Sequence, residues 1–341
     1  MTYRDSPSWQ TYHRILRNRF GLAIDHEPAE HRRTVRGHDL HLDAWPARGT
    51  RAAAGTVVLV HGGGGNGRVL APFADRIAAL GWDAIAPDLP GFGLTRPAPG
   101  WRGEYGEWPA TVAALASGLD GPVVLMGLSM GGLTAAYAAA RAPNVAGVVA
   151  TTLLDLSDPG TFVRAARNRM LGTVSLLSAR ATPFVMDRLS LPLDLAAPLH
   201  LMSADPEMTR YFRTDPLLGR RQVPLRFWRT AHRYEAALVL PCELLLVHPG
   251  ADAWTPPEAS RPTFDRIEGS KRWHLLDHGS HLPVEPDAFE PLMAAVSAFL
   301  AARRRTIGVI AGPEASVNLH DELLVVASPG ADRSPGPSVE T

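Results

Sequence analysis

Residues 122–132 hold a serine between glycines, at the point where an apolar run gives way to a helical pattern. The run at 123–126, preceded by Gly121 and Pro122, predicts a fully buried strand. The alanine-rich pattern at 133–142 predicts a helix. Between them, Gly127, Ser129 and Gly131 follow the order Gly-x-Ser-x-Gly. A strand that becomes a helix so abruptly forces strained backbone at the serine, and side chains at the flanking positions would collide across the turn. The turn also lifts the serine hydroxyl clear of the sheet, and the new helix directs its free N–H groups at charge developing there. Ser129 is therefore predicted to be a nucleophile; a tight turn without chemistry is the alternative reading.

The same alternation of element types recurs along the chain. Buried strands are predicted at 55–60, 83–87, 145–154, 243–247 and 272–276, with helices at 69–80, 108–119 and 289–302. Strands alternating with helices predict an α/β fold with a mostly parallel central sheet and helices on both faces. A hairpin at 33–45, turning at 36–39, belongs at a sheet edge, and Trp9, Tyr12, Ile15, Leu16 and Phe20 fall at the spacing of a short docking helix.

At about 156–238 the rhythm changes. This stretch is rich in Arg, Leu, Met and Pro, with helical but no strand-like periodicity, and predicts a helical insertion over the C-terminal edge of the sheet. The expected organisation is a discontinuous core (1–154 and 239–302), a helical cap (155–238) and a partly disordered tail (303–341). Two apolar patches in the tail, 307–310 and 323–327, have the composition of short strands, and 328–341 is rich in Pro, Gly and Ser.

Composition narrows the classes of function. Thirty-four basic residues balance thirty-four acidic ones in 341 residues, so no global field favours nucleic acid or anionic lipid. The single cysteine, Cys242, excludes an internal disulfide and a cysteine-based metal cluster, and reads as a buried core thiol. No apolar leader core or membrane-length stretch occurs, so a cytoplasmic protein is expected.

A serine nucleophile needs a base within hydrogen-bond reach, oriented by a third group. Of thirteen histidines, His281 follows the last predicted strand on a loop at the edge where Ser129 emerges. His278 shares that loop as runner-up, and His274, within the strand, reads as structural. Asp252 follows the strand ending at 247, at the same edge, and is the expected orienting acid; Asp155 is the substitute. The oxyanion needs two donors. One is the N–H of Met130, after the nucleophile. The other is assigned to Gly63, with Gly64 as alternative, in the glycine run 62–65 after the strand at 55–60. That run lacks the Lys-Ser/Thr of a nucleotide loop and the spacing of a dinucleotide site, so its glycines serve close approach to substrate oxygen. His61 reads as a brace for the loop.

Over residues 33–302 the chain resembles the α/β-hydrolase superfamily, and more narrowly the monoacylglycerol lipase/lysophospholipase group that is filed with serine aminopeptidases. The resemblance rests on 60–63, 88–93, 127–132, 203–206 with 214–217 in the insertion, 250–252 and 279–281. It implies Ser129, Asp252 and His281 as catalytic triad and Gly63 with Met130 as oxyanion donors, without cofactor or metal. The expected activity is hydrolysis of a small-molecule carboxylic ester, monoacylglycerol- or lysophospholipid-like, through an acyl-enzyme. An acyltransferase, thioesterase or peptidase could use the same triad, and a non-catalytic binding protein the same fold. Leu171, Leu176, Leu177, Phe184, Val185, Met186, Leu189, Leu199 and Met202 are the candidate lid residues. Oligomeric state is not encoded in any pattern here.

Overall fold

Hydrophobic alternation in the strands sets the layers of the molecule. In the computed structural model, which describes residues 2–49, 52–181, 184 and 187–310, Val58 and Val60 face one core while Val57 and Leu59 face the other. Val123 and Leu125 against Val124 and Met126 repeat that split. Period-two side chains that are apolar on both faces require cover on both faces, which is how a parallel sheet is buried.

In chain order the main sheet contains β1 (Ala29–Val35), β2 (His38–Trp45), β3 (Thr56–Val60), β4 (Asp83–Pro87), β5 (Val123–Gly127) and β6 (Val145–Ala150). After the insertion, which carries β7 (Ser190–Pro192) and β8 (Gln222–Pro224), come β9 (Glu243–His248) and β10 (Lys271–Leu275). The eight strands are ordered β1-β2-β4-β3-β5-β6-β9-β10; β1 and β2 pair antiparallel, β2 joins β4 antiparallel, and the remaining pairs are parallel. This is the α/β-hydrolase architecture. The hairpin turn is tighter than the sequence suggests, because Val35 already pairs with His38 and both turn residues, Arg36 and Gly37, have positive φ.

One face is covered by α1 (Pro7–Phe20), α2 (Ala71–Ala79) and the last helix. Ser6 caps α1 by accepting from the Ser8 N–H, and Gly21 ends it in the left-handed region at φ 67. Its predicted apolar stripe, Trp9, Tyr12, Ile15, Leu16 and Phe20, is buried throughout. The other face carries α3 (Glu107–Ser117) and α4 (Met130–Ala139).

Between β6 and β9 the chain runs through α5 (Pro159–Ala165), α6 (Arg169–Ala181), α7 (Leu193–Ala196), α8 (Pro206–Thr214) and α9 (Leu225–His232). The segment is not purely helical: β7 and β8 form a two-stranded antiparallel ribbon. Strands of three residues, each ending in proline, are too short to display an alternation. Other expectations also shift. The strand after α4 ends at Ala150 rather than 154, and α10 (Pro257–Arg266) was not anticipated. The last helix, α11 (Pro286–Ile310), absorbs residues 307–310, which were expected to be a strand. Residues 323–327 and 328–341 lie outside the described residues. Cys242 is half-buried against the core rather than fully enclosed, and burial pushes its thiol up to about 11.

Candidate active site

The backbone at Ser129 has φ 56 and ψ −132, a left-handed conformation that β-carbon sterics penalise. Close packing of the turn holds it there. A Cβ at Gly127 would strike the Gly131 carbonyl, and one at Gly131 would strike the carbonyl oxygens of Val60 and His61. The Gly131 N–H closes the turn on Leu128 O at 2.8 Å, and the Met130 N–H opens α4 beside the serine.

Ser129 Oγ lies 2.7 Å from His281 Nε2, and His281 Nδ1 lies 2.8 Å from Asp252 Oδ2. Both the imidazole and the carboxylate are buried. Asp252 is itself fixed, because its Oδ1 accepts from the backbone N–H of Trp254 at 2.9 Å and of Thr255 at 2.8 Å. The Trp254 ring packs against His281 with centroids 4.5 Å apart. The loop that presents His281 is tied down by Ser280 Oγ donating to Glu285 at 2.5 Å and by the Leu282 N–H donating to Met202 O at 3.0 Å. Such an arrangement can take a proton from the serine, hold it on the imidazole, and return it to a leaving group.

The alternatives are directed elsewhere. His278 is exposed, 3.9 Å from Asp287. His274 lies in β10 with an exposed side chain. Asp155 accepts from Ser157 N–H and Oγ at 2.9 and 2.6 Å and pairs with Arg266.

The glycine loop follows β3. A Cβ on Gly62 would sit 2.8 Å from Ser129 Cβ, and one on Gly63 would sit 3.3 Å from Met130 Sδ, so both glycines back directly onto the serine turn. Gly64 is instead packed under Leu193 of α7. His61 braces the loop. Leu89 N–H donates to its Nε2 at 2.9 Å, so Nδ1 carries the proton and donates to Gly62 O at 2.8 Å. Burial holds its pKa below the ordinary imidazole value, which keeps the ring neutral.

Sequence reasoning missed two indoles beside the site. Trp228 of α9 reaches within 3.1 Å of the Cβ position of Gly63, and Trp254 covers His281. Both indole N–H groups are buried without a partner among the described residues. Trp228 stands in the arginine-bearing helix α9 and Trp254 in the loop after β9, and neither setting has a mark that separates a site wall from core.

Trp228 also lines a cleft of about 620 Å³, counting its open mouth, walled by Leu156, Phe162, Leu171, Leu191 and Leu225. Of the lid candidates, Leu171 lines this cleft. Leu176 packs on the core, Leu199 is buried in it and Met202 is half-buried; Leu177, Phe184 and Leu189 are exposed. Val185 and Met186 lie outside the described residues.

Glu30, His41 and Asp43 bring ligand atoms within 4.8 Å of one another. The Arg68 guanidinium is bonded to both carboxylates there, 2.6 Å from Asp43 and 3.0 Å from Glu30. This cluster is an ion-pair network whose charge arginine already compensates.

Comparison with known proteins places the chain in a family. A family model for serine aminopeptidase, S33, matches residues 51–287. The pimeloyl-[acyl-carrier protein] methyl ester esterase of Neisseria meningitidis serogroup B is 30% identical over 240 residues, covering 67% of this chain and 86% of that protein. In fold, the monoacylglycerol lipase of Paleococcus ferrophilus matches with a TM-score of 0.60 at 24% identity, covering 78% of this chain and 99% of that one. A soluble variant of the Saccharomyces cerevisiae monoglyceride lipase matches with a TM-score of 0.66 at 18% identity, covering 83% and 98%. With the strand order, the strained serine turn and these matches together, the chain belongs to the S33 serine aminopeptidase family of α/β-hydrolases.

Proposed function

We propose that the protein is a cofactor-independent hydrolase of small or medium carboxylic esters, with Ser129 as nucleophile, His281 as base and then acid, and Asp252 as the group that orients it. One observation carries the reading: the unbroken hydrogen-bond path from Ser129 through His281 to Asp252, at 2.7 and 2.8 Å. Ser129 Oγ attacks the ester carbonyl as His281 Nε2 takes its proton. The oxyanion is held by the N–H groups of Met130 and Gly63, each contributing roughly 3 kcal/mol in the transition state. Packing of Gly64 under Leu193 favours Gly63 over Gly64 for that role. Collapse of the tetrahedral intermediate expels the alcohol, protonated by His281. Water, deprotonated by the same imidazole, then attacks the acyl-enzyme and releases the acid.

In this reading the segment 155–238 is a cap, and its cleft receives the acyl chain. An apolar cleft with few polar groups suits a hydrocarbon chain. The Neisseria relative is named as a methyl ester esterase, which supports the ester class. No described helix is long and apolar enough to cross a membrane. A cytoplasmic site of action is part of the proposal. The test is turnover of p-nitrophenyl esters of graded acyl length: Ser129→Ala should abolish it, and wild-type turnover by that variant would overturn the reading.

A further inference from the structure

We propose that His248 is a positioning residue for the triad: with Ser260 it clasps the neck of the loop that carries Asp252 and ties that loop to the segment behind Ser129. The inference rests on the triad reading of the proposed function and adds to it the groups that keep Asp252 in place.

His248 ends β9 and Ser260 stands in the first turn of α10, so the two bracket the loop between them. Both are fully buried. The imidazole Nδ1 lies 2.9 Å from Pro249 O, and a carbonyl can only accept, so Nδ1 carries the proton. Nε2, 3.0 Å from Ser260 Oγ, is then the acceptor, and the serine hydroxyl donates to it. Ser260 Oγ in turn accepts from the Leu153 N–H at 3.0 Å. Burial holds the His248 pKa below the ordinary imidazole value, which keeps the ring neutral and Nε2 free to accept. The ring lies parallel to that of Trp273, with centroids 5.6 Å apart, so its plane is fixed as well.

The place of this clasp gives it a role beyond stability. The bonds of Asp252 to the Trp254 and Thr255 N–H groups lie inside the loop and travel with it. The Gly250 and Ala251 N–H groups donate to His278 O and Gly279 O at 3.0 and 3.1 Å, which joins the loop of the acid to the loop of the base. Pairing of β6 with β9 ends at Ala150 and Leu246, so past that point neither set ties the two loops to the nucleophile's side. The clasp does. Leu153 lies two residues after Thr151, whose Oγ1 accepts from the Ser129 N–H at 3.3 Å. A connected run therefore leads from Pro249 through His248, Ser260 and residues 151–153 to the serine turn, without using the side chains of the triad. Buried neutral hydrogen bonds add only about 1 kcal/mol each to stability, but they are directional, and a reacting group displaced by about 1 Å loses on the order of 10²-fold in rate.

The experiment is steady-state hydrolysis of p-nitrophenyl acetate by the full chain, well below its melting temperature. The variants are His248→Phe, His248→Gln and Ser260→Ala, each alone and combined with Asp252→Asn. Phenylalanine keeps the stack on Trp273 and removes both ring nitrogens, whereas glutamine returns an acceptor near the position of Nε2. His248→Phe and Ser260→Ala are each expected to lower kcat about 10- to 100-fold with KM within about twofold of wild type, and His248→Gln to recover most of the loss. With Asp252→Asn, which has already lost the oriented imidazole, the same substitutions should cost no more than about twofold. Wild-type kcat in Ser260→Ala, a change in KM alone, equal losses in His248→Phe and His248→Gln, or an undiminished loss in the Asp252→Asn background would overturn the proposal. If His248→Phe does not fold, Ser260→Ala decides, because it deletes a single hydroxyl. Retained turnover in Ser129→Ala would instead overturn the triad reading, so the two failures are told apart.

Discussion

The Tyr3 hydroxyl donates to Asp88 Oδ2 at 2.9 Å across 85 residues of chain. The same fully buried carboxylate accepts from the Gly67 N–H at 2.7 Å and the Leu94 N–H at 2.6 Å. One side chain therefore ties the N-terminus, the segment after the glycine loop and the loop after β4 to a single point. Arg68 lies against the rings of Tyr3 and Trp9, 4.9 and 4.6 Å from their centroids, and locks the start of the chain over the same spot.

Tyr3→Phe keeps the ring beside Arg68 and removes one donor from a buried carboxylate. Stability should fall by about 1–3 kcal/mol, read as a lower urea midpoint at unchanged slope. An unchanged midpoint would show that the hydroxyl contributes nothing.

The network predicts a pH dependence of stability. Burial works against charge on His41, but the Asp88 carboxylate 3.3 Å from Nδ1 and the hydrogen bond from Nε2 to Glu30 at 2.8 Å outweigh it and lift the imidazole from 6.5 to about 9. A folded-state value above the unfolded one means a stabilisation fully present below about pH 6.5 and lost as pH rises through about 9. Thermal melts should therefore decline across that window, and His41→Gln should flatten the decline. On the acid side, burial works to raise Glu30, but bonds from His41 and from the N–H groups of Arg4 and Tyr3 bring it from 4.5 down to about 2. Its contribution is present above about pH 4.5 and lost as pH falls through about 2.

Asp252→Asn preserves an acceptor for the Trp254 and Thr255 N–H groups but turns an amide donor toward His281. The imidazole then carries its proton on Nε2 and cannot accept from Ser129. Turnover should drop roughly 10³- to 10⁴-fold with KM little changed, measured by steady-state kinetics on a soluble ester. A loss under tenfold would remove Asp252 from its assigned role.

Ala197, buried at 4% exposure, borders the cleft. Ala197→Phe should fill part of it, lowering turnover of long-chain esters about tenfold while leaving the acetyl ester unaffected. An unchanged chain-length profile would place the acyl chain elsewhere.

Much of the site was legible because its parts are local. The serine turn is a strand, a glycine-flanked bend and a helix start within one short segment, and each leaves a mark in neighbouring residues. Asp252 and His281 could be placed because both follow apolar runs, and parallel strands bring their C-terminal ends to one edge. The β7–β8 ribbon could not be read, since its strands are too short for a period and its pairing is made between distant segments. Leu171 and Leu177 belong to one helical pattern, yet the first lines the cleft and the second faces solvent. Nor does the order of residues disclose that Tyr3 reaches Asp88, or that Trp228 stands against Gly63 and Trp254 against His281. Periodicity specifies what an element is, because it depends on neighbours along the chain; the rotation of a helix and the meeting of remote side chains depend on everything packed against them, and only the folded structure contains that.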